Sequence, residues 1–149
     1  MSKVEERLKK LGIELIEQEK TLLPIARTKR CNNLLFVSGH GSDNHGKVGS
    51  ELTLEQGYKA ARDATINCLS SIKSAIGDLD KVIGFIKILG TVNSEPDFIE
   101  HPSVINGVSD LLIEAFGEEI GSHARSAVGL QAVSHNIAVG VEMIVEIKD

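Results

Sequence analysis

The closing stretch from His123 to Glu146, HARSAVGLQAVSHNIAVGVEMIVE, constrains the fold more than any other part of the chain. Ile137, Val139, Val141, Met143, Val145 and Ile147 recur at every second position, the period of a strand with one buried face. The alternate positions, Ala138, Gly140, Glu142, Ile144 and Glu146, make a face of small, apolar and charged residues. A strand patterned in this way belongs in a sheet whose two faces meet different surroundings. A break at Ser134-His135-Asn136 separates it from an earlier strand, in which Arg125 shares a face with Ala127, Gly129 and Gln131. A guanidinium at the entry of a small-residue strand offers a fixed charge and five donors, a fork that grips a carboxylate through two bonds. The plainer alternative is a surface arginine paired with a nearby acid.

The rest of the chain supplies elements to surround these strands. A short charged helix is expected over residues 3–11, ended by Gly12. Arg27 to Gly39 reads as a hairpin turning at Asn32-Asn33, because asparagine tolerates the left-handed conformation of a two-residue turn. His40 to Gly49 is polar and glycine-rich. Metal ligation by His40, Asp43 and His45, a phosphate cradle over Gly41 to Lys47, and a mobile rim loop are its three readings, and the last is preferred. Thr53 with Gln56 makes a capping box, and Leu54, Tyr58, Ala61, Thr65, Cys68, Ile72 and Ile76 form one helical stripe that closes at Gly77. Tyr58 and Cys68 on that stripe read as core filling. Lys81 to Val92 is a nearly continuous apolar run, as in a strand buried on both faces or covered by a neighbouring subunit. After Pro102 a further helix carries Ile105, Val108, Leu111, Leu112, Ala115 and Phe116 and stops at Gly117, leaving Asn106, Ser109 and Asp110 facing elsewhere.

The order strand, strand, helix, strand, helix, strand, strand predicts an α+β fold: one mixed sheet with two helices on one face. Residues 1–26 form a helix and an extended lead-in, and residues 27–149 a single domain. One helical layer leaves the other sheet face uncovered, so further copies of the chain are the expected cover.

Composition narrows the function. With 42% apolar residues but only four Phe, one Tyr and no Trp, the core must be aliphatic. The net charge of −5 comes without a basic block, which argues against a nucleic-acid groove. Cys31 and Cys68 show no metal spacing and suit reduced, buried thiols of a cytoplasmic protein. No apolar run approaches the length of a membrane span.

LLFVSGHG, then LTLEQGYKAARDATINCLSSIKSAIGDLDKV, then HARSAVGL and VEMIVEI together resemble the RidA/YjgF family, also labelled endoribonuclease L-PSP or translation inhibitor. The resemblance implies a chorismate-mutase-like α+β fold and a homotrimer with ligand pockets at the subunit interfaces. It also implies cofactor-free hydrolysis of 2-aminoacrylate-type enamines and imines to 2-oxo acids and ammonia, with no metal. By the same resemblance Arg125 grips the substrate carboxylate, with Ser38, Gly39, His123, Ser126 and Ala127 around the ligand. The family carries a water-positioning Glu fifteen residues after that Arg, where this chain has Gly140. A second family Glu matches Glu142. A pocket Tyr has no counterpart between Ile25 and Thr28, and a pocket Cys is replaced by Ala127. Three functions therefore stand: a deaminase using Arg125 with Glu142, His40 or His123; a non-catalytic protein binding 2-oxo or amino acids; and the ribonuclease of the family label, against which the acidic balance weighs.

Overall fold

Alternation along the closing segment becomes a strand in the interior of a five-stranded sheet. The structure is a computed structural model and describes residues 2–149. Along the chain run α1 (Lys3–Lys10), β1 (Thr28–Cys31), β2 (Leu34–Gly41), α2 (Leu54–Ile76), β3 (Val82–Asn93), α3 (His101–Phe116), a one-turn α4 (Glu118–Gly121), β4 (Ala124–Leu130) and β5 (Val139–Ile147). The sheet order is β1-β2-β5-β3-β4. All neighbours are antiparallel except β3 and β4, which run parallel and are joined across α3. This is the expected α+β plan.

Local chemistry sets the ends of the elements. The Thr53 hydroxyl accepts the Gln56 amide at 3.1 Å, and the Gln56 side-chain oxygen accepts the Thr53 amide at 2.8 Å. Two orphan donors are satisfied at once, which starts α2; Gly77, left-handed at φ 81°, ends it. The hairpin turns with Asn32 at φ 52°, and the break between β4 and β5 is a 3-10 turn with His135 and Asn136 both at φ 56°. Asp80, from the turn before β3, accepts the amides of Lys3 and Val4 and so ties α1 to the domain.

Val139, Val141, Met143, Val145 and Ile147 of β5 pack with Val82, Phe85, Ile88 and Val92 of β3 beneath the helices. Helix α2 lies over β2 and β5, and α3 over β3 and β4. The two helices cross closely at Gly107, where an added Cβ would run into the Tyr58 carbonyl and stand 3.0 Å from the Ala61 Cβ.

Within one chain, β3 is buried on its helix side, and Ile83 and Ile86 are exposed on the other face, which fits the expected strand covered by a neighbouring subunit and not one buried on both faces within the chain. Three expectations change. The His40–Gly49 segment is not a mobile rim: His40 and Gly41 extend β2, and Ser42, Gly46 and Val48 are held by backbone bonds to Val139, Asn136 and Asn93. Cys31 is exposed on β1 rather than buried, because a four-residue edge strand has no layer above it. Tyr58 is half-buried, and its hydroxyl donates to Asp110 at 2.6 Å across the two helices instead of filling the core.

Candidate functional site

Arg125 enters β4 beside Ile88 of β3, and Ile88 points into the helix-covered core. Neighbouring side chains on paired strands share a face, so Arg125 turns toward α3. There its Nη1 donates to Ser109 Oγ at 3.0 Å and its Nη2 to the Pro102 carbonyl at 3.4 Å. A guanidinium only donates, so the Ser109 hydroxyl is free to donate onward to His123 Nε2 at 2.9 Å. The His123 ring proton then sits on Nδ1 and goes to the Gly121 carbonyl at 2.7 Å. Both acceptors of Arg125 are neutral, and none of the ion pairs among the described residues includes it. The charge of Arg125 is therefore oriented but not neutralised.

A second feature lies toward the opposite edge. Register between β2 and β5 slips between Val37 and His40, so Ser38 and Gly39 bulge out opposite Glu142. The bulge borders a cavity of about 440 Å³ whose walls include Ile25, Arg27, His40 and Asn67. The Ser38 hydroxyl donates to the Ala26 carbonyl at 2.6 Å, and the Arg27 Nε to the Glu19 carbonyl at 3.3 Å, which hold the lead-in against the strand. His40 is buried with both nitrogens engaged: Nδ1 lies 2.5 Å from the Ser38 carbonyl and Nε2 2.7 Å from the Ser71 hydroxyl. Burial lowers its pKa below the usual histidine range, against the Ser38 bond that raises it, and the nearby Arg27 charge adds to the lowering.

Arg125 and Ala127 thus share the helix side of β4, with His123 just before the strand, while Ser126 is on the other face, where its hydroxyl accepts from Lys87 Nζ at 2.9 Å. Glu142 is exposed on that uncovered face beside Leu89 and the Ser38–Gly39 bulge. Gly140 pairs with Thr91, and a Cβ there would stand 2.8 Å from Thr91 Oγ1. Within one chain, β5 and β3 separate the bulge from β4, so Ser38, Gly39 and Glu142 assemble at one place and Arg125 at another. His123 and His40 have no ring nitrogen to spare for a ligand. Burial pushes the Cys68 thiol far above the usual range, and its Sγ lies 3.5 Å from the Val141 carbonyl, as suits a packed thiol. No cluster of three His, Cys, Asp or Glu side chains among the described residues is arranged to hold a metal. Two residues had no site role in the sequence reading: Ser109, placed there only as facing away from the apolar stripe, is the partner of Arg125, and Arg27 lines the cavity. Spacing marks neither, because both act through contacts between distant segments.

These features can be set beside known proteins. A family model described as "YjgF/chorismate mutase-like, putative endoribonuclease" matches residues 28–147. The chain belongs to this YjgF family. Protein TCP17 of Trypanosoma cruzi is 40% identical over 126 residues, covering 80% of this chain and 79% of that protein. The crystal structure of Atu1372 from Agrobacterium tumefaciens, a protein described as of unknown function, superposes with a TM-score of 0.89 at 36% identity, covering 97% of this chain and 92% of that one. A Shewanella oneidensis MR-1 protein described as a "putative endoribonuclease" gives 0.92 at 30% identity, over 98% and 100% of the two chains. The likeness to these two structures covers nearly the whole chain, beyond the residues that the family model matches. No helix among the described residues is long and apolar enough to cross a membrane.

Proposed function

We propose that this YjgF-family protein is a cofactor-free imine/enamine deaminase, acting on small 2-aminoacrylate-type carboxylates in a cleft between copies of a homotrimer. The observation that carries the reading is Arg125, aimed by two neutral acceptors and left without a counter-ion. Such a group is ready to pair with a substrate carboxylate at no cost in broken ion pairs. Ser109 and His123 serve by holding the fork, and Ser126 and Ala127 flank it on β4. Because Ser38, Gly39 and Glu142 lie apart from Arg125 in one chain, the cleft takes them from one copy and Arg125 from another. The uncovered sheet face, with Phe36 and Ile86 each 43% exposed, supports that assembly.

The chemistry is hydrolysis. An enamine first moves a proton from nitrogen to its methylene carbon to become the imine; water then adds its oxygen to the imine carbon while Glu142 accepts a proton, the nitrogen is protonated, the C–N bond breaks, and ammonia leaves a 2-oxo acid. Oxygen replaces nitrogen with no change of oxidation state, so the reaction needs no redox cofactor. A cytoplasmic setting belongs to the same reading and is supported by the free, exposed Cys31 thiol.

The test couples the protein to a pyridoxal-dependent dehydratase that generates 2-aminoacrylate from serine. Wild type should accelerate pyruvate formation, Arg125→Ala should abolish the acceleration, and Glu142→Gln should cut it by about 10²–10⁴-fold. No acceleration by wild type would sink the proposal. Gly140 favours a second reading, a carrier or sensor of 2-oxo or amino acids, because the position of the family's water-positioning carboxylate is empty of one. Saturable calorimetric binding without turnover would establish it. The endoribonuclease suggested by the Shewanella protein's description is not adopted, since a chain of net charge −5 with no basic block lacks the electrostatic footprint for RNA.

A further inference from the structure

The cavity beside the β2 bulge has a charge balance that the deaminase reading leaves unused. In a chain with 21 acidic residues, no Asp or Glu lines it, and its one charged wall residue is Arg27. The Arg27 fork spends only Nε, on the Glu19 carbonyl, and no ion pair among the described residues includes it. Beneath it, the His40 ring is tied off by Ser38 and Ser71, and Asn67 Nδ2 donates to the Gly41 carbonyl at 2.9 Å. The floor is thus neutral and rigid. The volume, about 440 Å³, suits a small metabolite.

We infer that Arg27 is a specificity residue and that the ligand of this protein carries two acid groups, one for Arg27 and one for Arg125 of a second copy. The inference rests on the proposed cleft, because Ser38 and Gly39 line both that cleft and the Arg27 cavity. Two uncompensated guanidiniums in one site favour a ligand that pairs both, whereas a monoacid gains a charge-assisted contact from one fork only. A diacid, with a carboxylate at each end, pairs each fork. The substrate class is therefore the imine or enamine of an acidic 2-oxo acid, and the product is a 2-oxo dicarboxylate.

Calorimetric titration of the full-length protein with oxaloacetate and 2-oxoglutarate, against pyruvate and 2-oxobutyrate, tests this. Wild type should bind the diacids at least about tenfold more tightly than the monoacids, the usual worth of one charge-assisted contact. Arg27→Gln should bring that ratio close to one by weakening the diacids alone, with unchanged monoacid affinity as the control for an intact lead-in. Arg27→Lys should keep part of the preference, and Arg125→Gln should weaken both ligand sets. A wild-type ratio near one, or a ratio unmoved by Arg27→Gln, overturns the inference; retained dependence on Arg125 in that case leaves the deaminase or carrier reading standing. Failure of all four acids to bind overturns both.

Discussion

The imidazole of His40 gives one nitrogen to the Ser38 carbonyl and the other to the Ser71 hydroxyl, and burial favours its uncharged form. A histidine whose pKa falls on folding binds fewer protons folded than unfolded, so stability is complete above its ordinary value of 6.5 and is lost as pH drops below it. Thermal unfolding followed from pH 7.5 to 5.5 should show a decline in Tm that is shallower in His40→Gln; parallel slopes would mean that other groups set the acid sensitivity. The contrast with Arg125 is instructive. That side chain shows in the sequence because a guanidinium among Ala and Gly is conspicuous. His40 reads as a loop residue because the neighbours that bury it, Ser71 above all, are 31 positions away.

At the level of elements, the α2–α3 crossing concentrates the packing. Gly107 brings α3 onto the Tyr58 carbonyl, and Gly57 offers a matching gap against Val104. Backbone atoms cannot retreat as a flexible side chain does, so an extra methyl group at position 107 must push the helices apart. Gly107→Ala should destabilise by about 1–3 kcal/mol despite the better helix propensity of alanine. In denaturant titrations the midpoint would fall with the slope m unchanged; a higher midpoint would mean that the crossing relaxes freely. The capping box at Thr53, the stop at Gly77 and the stripe of α2 were legible because each is settled within a few residues along the chain. The crossing itself was not, since small residues within a helix do not announce what they touch.

For the whole molecule, the deciding feature is the sheet face that carries no helices. Phe36, Ile83, Ile86, Val128 and Leu130 are exposed there, an apolar surface that a lone chain would leave in water. Sedimentation velocity should return the mass of three 16.0 kDa chains. Ile86→Glu should shift the distribution toward monomer with an unchanged far-ultraviolet spectrum, because the substitution lies outside the buried core of the chain. A monomeric wild type would remove the shared cleft and the function built on it.

The run from Lys81 to Val92 shows where the two levels of information divide. Its apolar content pointed to a strand, but the faces of β3 do not follow a simple alternation, because register shifts at Val82/Gly84 and Phe85/Lys87 break the period that is regular in β5. Whether the second face of β3 was buried could not follow from composition, since a covered strand and one awaiting a partner have the same residues. Likewise, Arg125 and Glu142 could be named from the chain and assigned to successive strands, but that β3 lies between those two strands was decided by the order β1-β2-β5-β3-β4. Sequence determined the elements, their caps and their buried stripes through contacts a few residues apart. Tertiary structure decided which charges remain unpaired and which segments share a cavity, because those depend on contacts between residues that are remote along the chain.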